Sequence, residues 1–253
     1  MGSIIQSRAR NAPSGDPQSE FDAATQETIL RYSAAILDED FIGPGHTTIP
    51  TNGTPATGYP WVQRIQHTGG TPTVAVIANA AGGILRLALD ATSEKQEASL
   101  YANDSLNWDM TKSATWEARI STHVVPSAAQ VEMVFGLRSA WIDGPDNFSF
   151  YADFQLLGSG VVNYRSKDGV NTFANASSVV MAVDTFHNFR IDATDPTNVR
   201  YFVDGVELSN HNMSFAATGA NAILQPYVSV YKASGTGVGT FDIDSTQLGM
   251  NRS

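Results

Sequence analysis

The run His187-Asn188-Phe189-Arg190-Ile191-Asp192 alternates apolar and polar side chains, and Arg200-Tyr201-Phe202-Val203 follows it just before Asp204-Gly205-Val206-Glu207-Leu208. Alternation with a period of two puts Phe189 and Ile191 on one face of an extended segment and the polar residues on the other. Asp-Gly suits a type I′ turn, whose two central residues both need positive φ; Gly adopts this freely and Asp tolerates it. The segment therefore predicts an antiparallel hairpin and commits the last third of the chain to antiparallel sheet. It places no obvious catalytic group on that sheet.

The same pattern recurs upstream and downstream. Leu85, Leu87 and Leu89 alternate with Arg86 and Ala88; Trp116, Ala118 and Ile120 with Glu117 and Arg119; Val131, Met133, Phe135 and Leu137 across Glu132. Phe148-Ser149-Phe150, Val161 to Tyr164, Val179 to Met181, Tyr227 to Tyr231 and Phe241 to Ile243 read as further strands. Many short strands separated by turns, without a fixed repeat, predict an all-β antiparallel sandwich or jelly roll of two stacked sheets. The boundaries expected are an N-terminal arm over 1–40 and a sandwich over 41–253. Within the arm, Ile29, Tyr32, Ser33, Ile36 and Leu37 fall on one face of a short helix over Thr25 to Leu37, although the same residues also suit a strand running into Asp38-Glu39-Asp40-Phe41. Residues 43–60 form a long Thr-, Gly- and Pro-rich loop.

Composition removes several function classes. The formal net charge is −10, from 25 acidic and 15 basic residues, and no basic cluster exceeds a pair. That balance repels nucleic acid and anionic membrane, so neither is expected as a partner. The absence of Cys excludes disulfides, thiolate nucleophiles and Cys-bearing metal sites. Met1 to Pro17 has no apolar stretch of a secretory signal and no segment has about 18 consecutive apolar residues, so a soluble protein is expected.

Three parts of the chain carry a family resemblance: Trp116-Glu117-Ala118-Arg119-Ile120, Val134-Phe135-Gly136-Leu137, and the pairing of Phe189-Arg190-Ile191-Asp192 with Phe202-Val203-Asp204-Gly205. Over roughly residues 60 to 250 the chain resembles concanavalin A-like (laminin-G-like) jelly rolls. Its closing segment, Leu224 to Gly237, is similar to structural proteins of tailed bacteriophages that decorate the head. This resemblance implies a non-enzymatic virion protein, made in the host cytoplasm, that docks on the major capsid protein or other virion subunits as a homo-oligomer on the particle. The arm, with Ile4, Ile5 and Phe21 as apolar anchors, and the loop over 43–60 are then the expected partner-binding elements.

The residues offer little chemistry that sequence spacing alone reveals. Glycan-cleaving enzymes of this fold carry carboxylates in a Glu-x-Asp-x-Glu pattern along one strand, a spacing that sets acid and nucleophile about one glycosidic bond. Here Glu117 and Glu132 each stand alone, and Asp242 with Asp244 is the one strand-spaced pair, so no enzyme is expected. Asp143-Gly144-Pro145-Asp146-Asn147 and Asp192 with Asp195 offer oxygen ligands, but Asp, Asn, Gly and Pro are ordinary turn residues, and no metal is predicted. His46, His67, His123, His187 and His211 are scattered without ligand spacing. Gly235-Thr236-Gly237-Val238-Gly239 precedes a strand instead of a helix, which makes it a hairpin loop and not a phosphate cradle; no cofactor is predicted. The alternative to the virion reading is a carbohydrate-binding, lectin-like module of a phage tail or fibre. It rests on Trp141 as a stacking platform beside the Asp143 turn, with Tyr151 behind it; Trp61, Trp108 and Trp116 are expected in the core.

Overall fold

The computed structural model describes residues 34–41, 49–53, 60–78, 80, 82–208 and 213–251. Ile4, Ile5 and Phe21, and most of the loop over 43–60, lie outside them. The first half of the chain supplies β1 (Ala34–Glu39), β2 (Val62–His67), β3 (Thr73–Val76), β4 (Leu85–Ala88), β5 (Gln96–Tyr101), β6 (Trp108–Asp109), β7 (Ala114–Val124) and β8 (Val131–Arg138). The second half supplies β9 (Tyr151–Leu156), β10 (Val161–Lys167), β11 (Thr172–Val180), β12 (His187–Ala193), β13 (Arg200–Val203), β14 (Val206–Glu207), β15 (Ile223–Lys232) and β16 (Thr240–Asn251).

These strands form two antiparallel sheets. The first runs β14-β13-β12-β7-β16-β4-β3, with β1 also on β16; the second runs β11-β10-β9-β8-β15-β5-β2, with β6 also on β15. The fold is the expected concanavalin A-like β-sandwich. Alternation decides which side chains lie between the sheets. Trp116, Ala118 and Ile120 of β7 face Val131, Met133, Phe135 and Leu137 of β8 in one buried cluster, while Glu117 and Arg119 point outward. At its centre the Phe135 ring meets Phe189 edge-on at 4.7 Å, Phe241 at 5.5 Å and Phe154 in a stack at 5.5 Å. Burying each such ring contributes about 1.5–3 kcal/mol, and the edge-to-face contacts suit the ring quadrupoles. Trp61, Trp108 and Trp116 are all buried, as expected.

Local signals read correctly include the Asp-Gly hairpin. Asp204 and Gly205 have φ of 52° and 78°, and Val203 pairs with Val206 across them. The Asp204 carboxylate also accepts from the backbone N–H of Asn188 at 2.9 Å, tying the turn to β12. The run from Gly235 to Gly239 is, as read, the connection between β15 and β16.

Two expectations change. Ala34–Glu39, the end of the expected helix, is a strand whose partners are Thr246 to Asn251 of β16; the earlier part of that helix lies outside the described residues. Phe148-Ser149-Phe150 is not a strand: it ends a 12-residue connection, 139–150, that contains a single 3-10 turn at Pro145–Asn147. Phe148 is buried because it packs on the outer face of the second sheet, against Val134 and Tyr227.

Candidate functional site

The outward face of the second sheet is polar. Register across β2, β5, β15 and β8 places Gln66, Glu97, Tyr231 and Glu132 in one transverse row. The next row holds Arg64, Ser99, Ser229, Val134 and Gln155, and the third brings Tyr101, Tyr227, Gly136, Asp153 and Arg165 into line. Neighbouring strands lie about 4.8 Å apart, so Glu97 and Glu132, two strands apart, are separated by about 9.6 Å at their Cα atoms.

The connection 139–150 lies across this face as a strap. Phe148, fully buried, packs with Val62, Tyr101, Val134, Tyr151 and Tyr227 in a second small cluster, and Trp141 rests against it. Phe148 meets Tyr227 edge-on at 5.1 Å, and the Arg138 guanidinium sits 4.6 Å above its ring. Polar contacts pin the strap along its length. Trp141 N–H donates to Asp104 Oδ1 at 2.6 Å and its indole N–H to Glu97 Oε1 at 2.9 Å. Asp143 pairs with Lys95 at 2.6 Å, and Asp146 with Arg165 at 2.8 Å. Arg138 Nη1 donates to the Pro145 carbonyl at 2.6 Å, and Lys167 Nζ to that of Phe148 at 3.0 Å.

Under the strap lies a buried ionic network. Asp153 accepts from Arg138 Nε at 2.8 Å and from Arg165 Nε at 2.9 Å; Arg165 reaches Glu132 at 3.4 Å, to which Gln155 also donates. Burial pushes the Glu132 carboxyl up, against the pull of Arg165 and Arg138. Burial likewise pushes Glu97 up, although hydrogen bonds from Trp141 and Tyr227 and the charge of Arg64 oppose it. Burial works against the charge of Arg165, but Asp153 and Glu132 outweigh it and hold the guanidinium firmly protonated. Tyr227, whose hydroxyl donates to Glu97 Oε1 at 2.9 Å, is raised well above the usual phenol range by burial.

Trp141 is held on three sides: by Glu97, by Asp104, and by the Arg64 guanidinium, 3.3 Å above the ring centroid. It is half-buried and lines an open depression of about 330 Å³ together with Leu106, Ile142, Phe150, Asn221 and Ile223. Tyr151, its expected companion, is buried in the second cluster near Arg138 and Arg165, so it presents no face to solvent. A second depression, of about 410 Å³, lies outside the first sheet, between Glu117, Arg119, Arg190 and Gln247.

The remaining candidates are accounted for by local contacts. Asp192 accepts from Thr194, Arg190 and Arg200, and Asp195 caps its own turn through Thr197 at 2.9 Å. Asp242 is chelated by Arg86 at 2.6 and 2.7 Å, and Asp244 pairs with Arg119 at 2.8 Å. Glu117 faces Arg190 at 3.4 Å. His123, Asp184 and Asp242 bring one ligand atom each within 4.8 Å of one another, but the Arg86 guanidinium already supplies the positive charge there. What sequence reading missed is the buried cluster of Arg138, Glu132, Asp153 and Arg165: it comes from three strands, and Arg165 joins its two carboxylates.

No family model matches this chain, and no curated protein matches it in sequence. Solved structures do. A prokaryotic β-1,3-1,4-glucanase (lichenase) derived from a mouse hindgut metagenome superposes with a TM-score of 0.57 at 12% identity, covering 85% of this chain and 98% of that one. A protein of unknown function from Shewanella oneidensis MR-1 gives 0.56 at 12% identity, over 91% and 95%. The carbohydrate recognition domain of Emp47p gives 0.52 at 12% identity, over 80% and 94%. At this identity the likeness establishes the fold alone. None of these three is described as a virion component. The expectation of a protein without enzymatic activity is corrected: a glucanase shares the sandwich, so the fold does not set this chain apart from enzymes. That expectation sought carboxylates along one strand, whereas here Glu132 and Asp153 come from neighbouring strands and share Arg165.

Proposed function

We propose that this protein recognises carbohydrate, and that Trp141 is the stacking platform at the mouth of its site. The observation that carries this reading is the fixed indole. Its N–H bond to Glu97, its backbone bond to Asp104 and the Arg64 guanidinium on one ring face hold it at the edge of a depression large enough for a sugar ring or two. A ring fixed before binding loses little rotational freedom on contact, which favours stacking against the apolar face of a pyranose. Ser139, Ser149 and Asn221 at the rim offer hydroxyl and amide groups for sugar hydroxyls. The fold supports the reading, since both a carbohydrate recognition domain and a glucanase adopt it.

The test is a glycan array probed with wild-type protein and with Trp141→Ala, with reducing ends assayed on every glycan that binds. Binding by wild type that the variant loses supports the reading. Reducing-end release would add a hydrolytic step. No binding by wild type to any glycan would overturn the reading.

A further inference from the structure

The depression beside Trp141 differs in character from the charged sheet face it borders. None of the ten residues that line it is charged, and seven are apolar. Leu106 and Ile223 are half-buried there, and Ile142 is 45% exposed, so the wall keeps aliphatic surface open to solvent. A plain hexose offers the Trp141 ring an apolar face but carries hydroxyls around its edge. It would leave that aliphatic wall uncovered.

The polar groups of the wall narrow the choice of ligand. Asn221 and Ser149 are exposed in it, so their side chains are open to a bound sugar. A primary amide presents a donor and an acceptor side by side, and another amide answers both at the same spacing. Charge narrows the choice further. The chain carries a net charge of −10, and the Asp104 carboxylate holds the Trp141 backbone N–H at 2.6 Å. Arg64, stacked on the indole, is offset by the Glu97 carboxylate. With no cation among the lining residues, a sugar carboxylate or sulfate would lose its hydration there without gaining a partner.

We infer that this depression selects an uncharged sugar bearing an acetamido group: an N-acetylhexosamine whose ring stacks on Trp141, whose acetamido methyl meets the aliphatic wall, and whose amide pairs with Asn221. This inference rests on the carbohydrate reading and deepens it by naming the class of sugar. The acetamido group matches the wall in both respects, since it joins a methyl to an amide and carries no charge. Its advantage over a hydroxyl at the same carbon is one buried methyl and one net hydrogen bond, together about tenfold in affinity.

A matched set of β-1,4-linked tetrasaccharides separates these features by calorimetric titration. Cellotetraose has a hydroxyl at C2, N-acetylchitotetraose an acetamido group, its deacetylated form an ammonium, and a glucuronate tetramer a carboxylate at C6. An oligosaccharide ending in N-acetylgalactosamine supplies the same acetamido group on the other common ring. At least one N-acetyl ligand is expected to bind about tenfold tighter than cellotetraose, and the glucuronate to bind more weakly than either. Asn221→Ala changes an exposed side chain, so the fold should stand. It should remove most of the preference for the N-acetyl ligand and leave any affinity for cellotetraose as it is.

Trp141-dependent binding of cellotetraose, of the glucuronate or of any array glycan without an acetamido group, as tight as that of the N-acetyl ligands, would overturn the selection while sparing the carbohydrate reading. An N-acetyl ligand that Trp141→Ala loses but Asn221→Ala binds unchanged would also overturn it, because the amide would then have no part in recognition. No binding by any glycan would overturn both.

Discussion

The indole N–H of Trp141 donates to Glu97 Oε1 at 2.9 Å, joining the strap to a strand that lies 44 residues earlier in the chain. The same oxygen accepts from the Tyr227 hydroxyl at 2.9 Å. One buried carboxylate thus ties the proposed platform to the polar sheet face beneath it.

Trp141→Phe keeps an aromatic ring under Arg64 but removes the indole donor. It leaves Glu97 Oε1 with Tyr227 alone, and a hydrogen bond to a charged acceptor contributes about 1.5–3 kcal/mol. Urea unfolding should show a loss of stability in that range, and Trp141→Phe paired with Glu97→Gln should lose less than the sum of the single changes.

Glu97 also makes stability depend on pH. Its pKa is raised in the folded protein, chiefly by burial, with Trp141, Tyr227, Ser99 and Arg64 opposing the shift; Tyr101 and Tyr231 feel its charge in turn. Glu132 is raised for the same first reason, with Arg165 and Arg138 opposing and Asp146 adding to it. A carboxyl with a raised folded pKa binds its proton more tightly folded than unfolded, so its contribution is full below the unfolded pKa and is lost as pH rises through the folded one. The folded protein should therefore lose part of its stability on going from about pH 4.3, the ordinary Glu value, up through the raised pKa values. Glu97→Gln, which keeps the Oε1 acceptor, should flatten that decline in denaturation series across this window. Asp168, Asp192 and Asp204, whose pKa values are lowered by hydrogen bonds and charges that outweigh burial, act with opposite sign and govern the loss below the ordinary Asp value.

Gly136 cannot carry a side chain. A Cβ there would lie 2.5 Å from the Ala152 carbonyl oxygen and 2.8 Å from Asp153 Cα, both backbone atoms of β9. Gly136→Ala is expected to cost about 3 kcal/mol or more by forcing β8 and β9 apart, measured as a fall in the thermal midpoint.

Lys232 is a cation built into the fold. Its side chain is fully buried, and its ammonium donates to the carbonyls of Asp90 at 2.5 Å, Thr92 at 2.8 Å and Gly237 at 3.1 Å. Burial lowers its pKa, and the Asp90 charge works the other way. Lys232→Met keeps the length of the side chain and strands the carbonyls; a stability loss of about 3 kcal/mol is expected in urea unfolding, with the loops around Asp90 and Gly237 gaining hydrogen exchange first.

Sequence reading succeeds where the signal is local. The Asp204-Gly205 turn needs only two residues that tolerate positive φ, and the faces of β7 and β8 follow from alternation alone. It fails where a partner far along the chain decides. The helical spacing of Ile36 and Leu37 yields to pairing with β16, more than 200 residues on. Phe148 and Phe150 mimic a strand because both are drawn inward, but to different cores: Phe148 sinks into the small outer cluster and Phe150 packs against the main one. The charged floor could not be read from spacing, since β15, from near the end of the chain, stands between β5 with Glu97 and β8 with Glu132, and Glu132 meets Asp153 of β9 only through Arg165 of β10.

The most direct measurement is calorimetric titration of the best array glycan into wild-type protein and into Trp141→Ala, after circular dichroism has confirmed that both are folded. A loss of at least tenfold in affinity, about 1.4 kcal/mol, is the predicted result. Unchanged affinity in a folded variant would contradict the assignment of Trp141 as the platform on which this account depends.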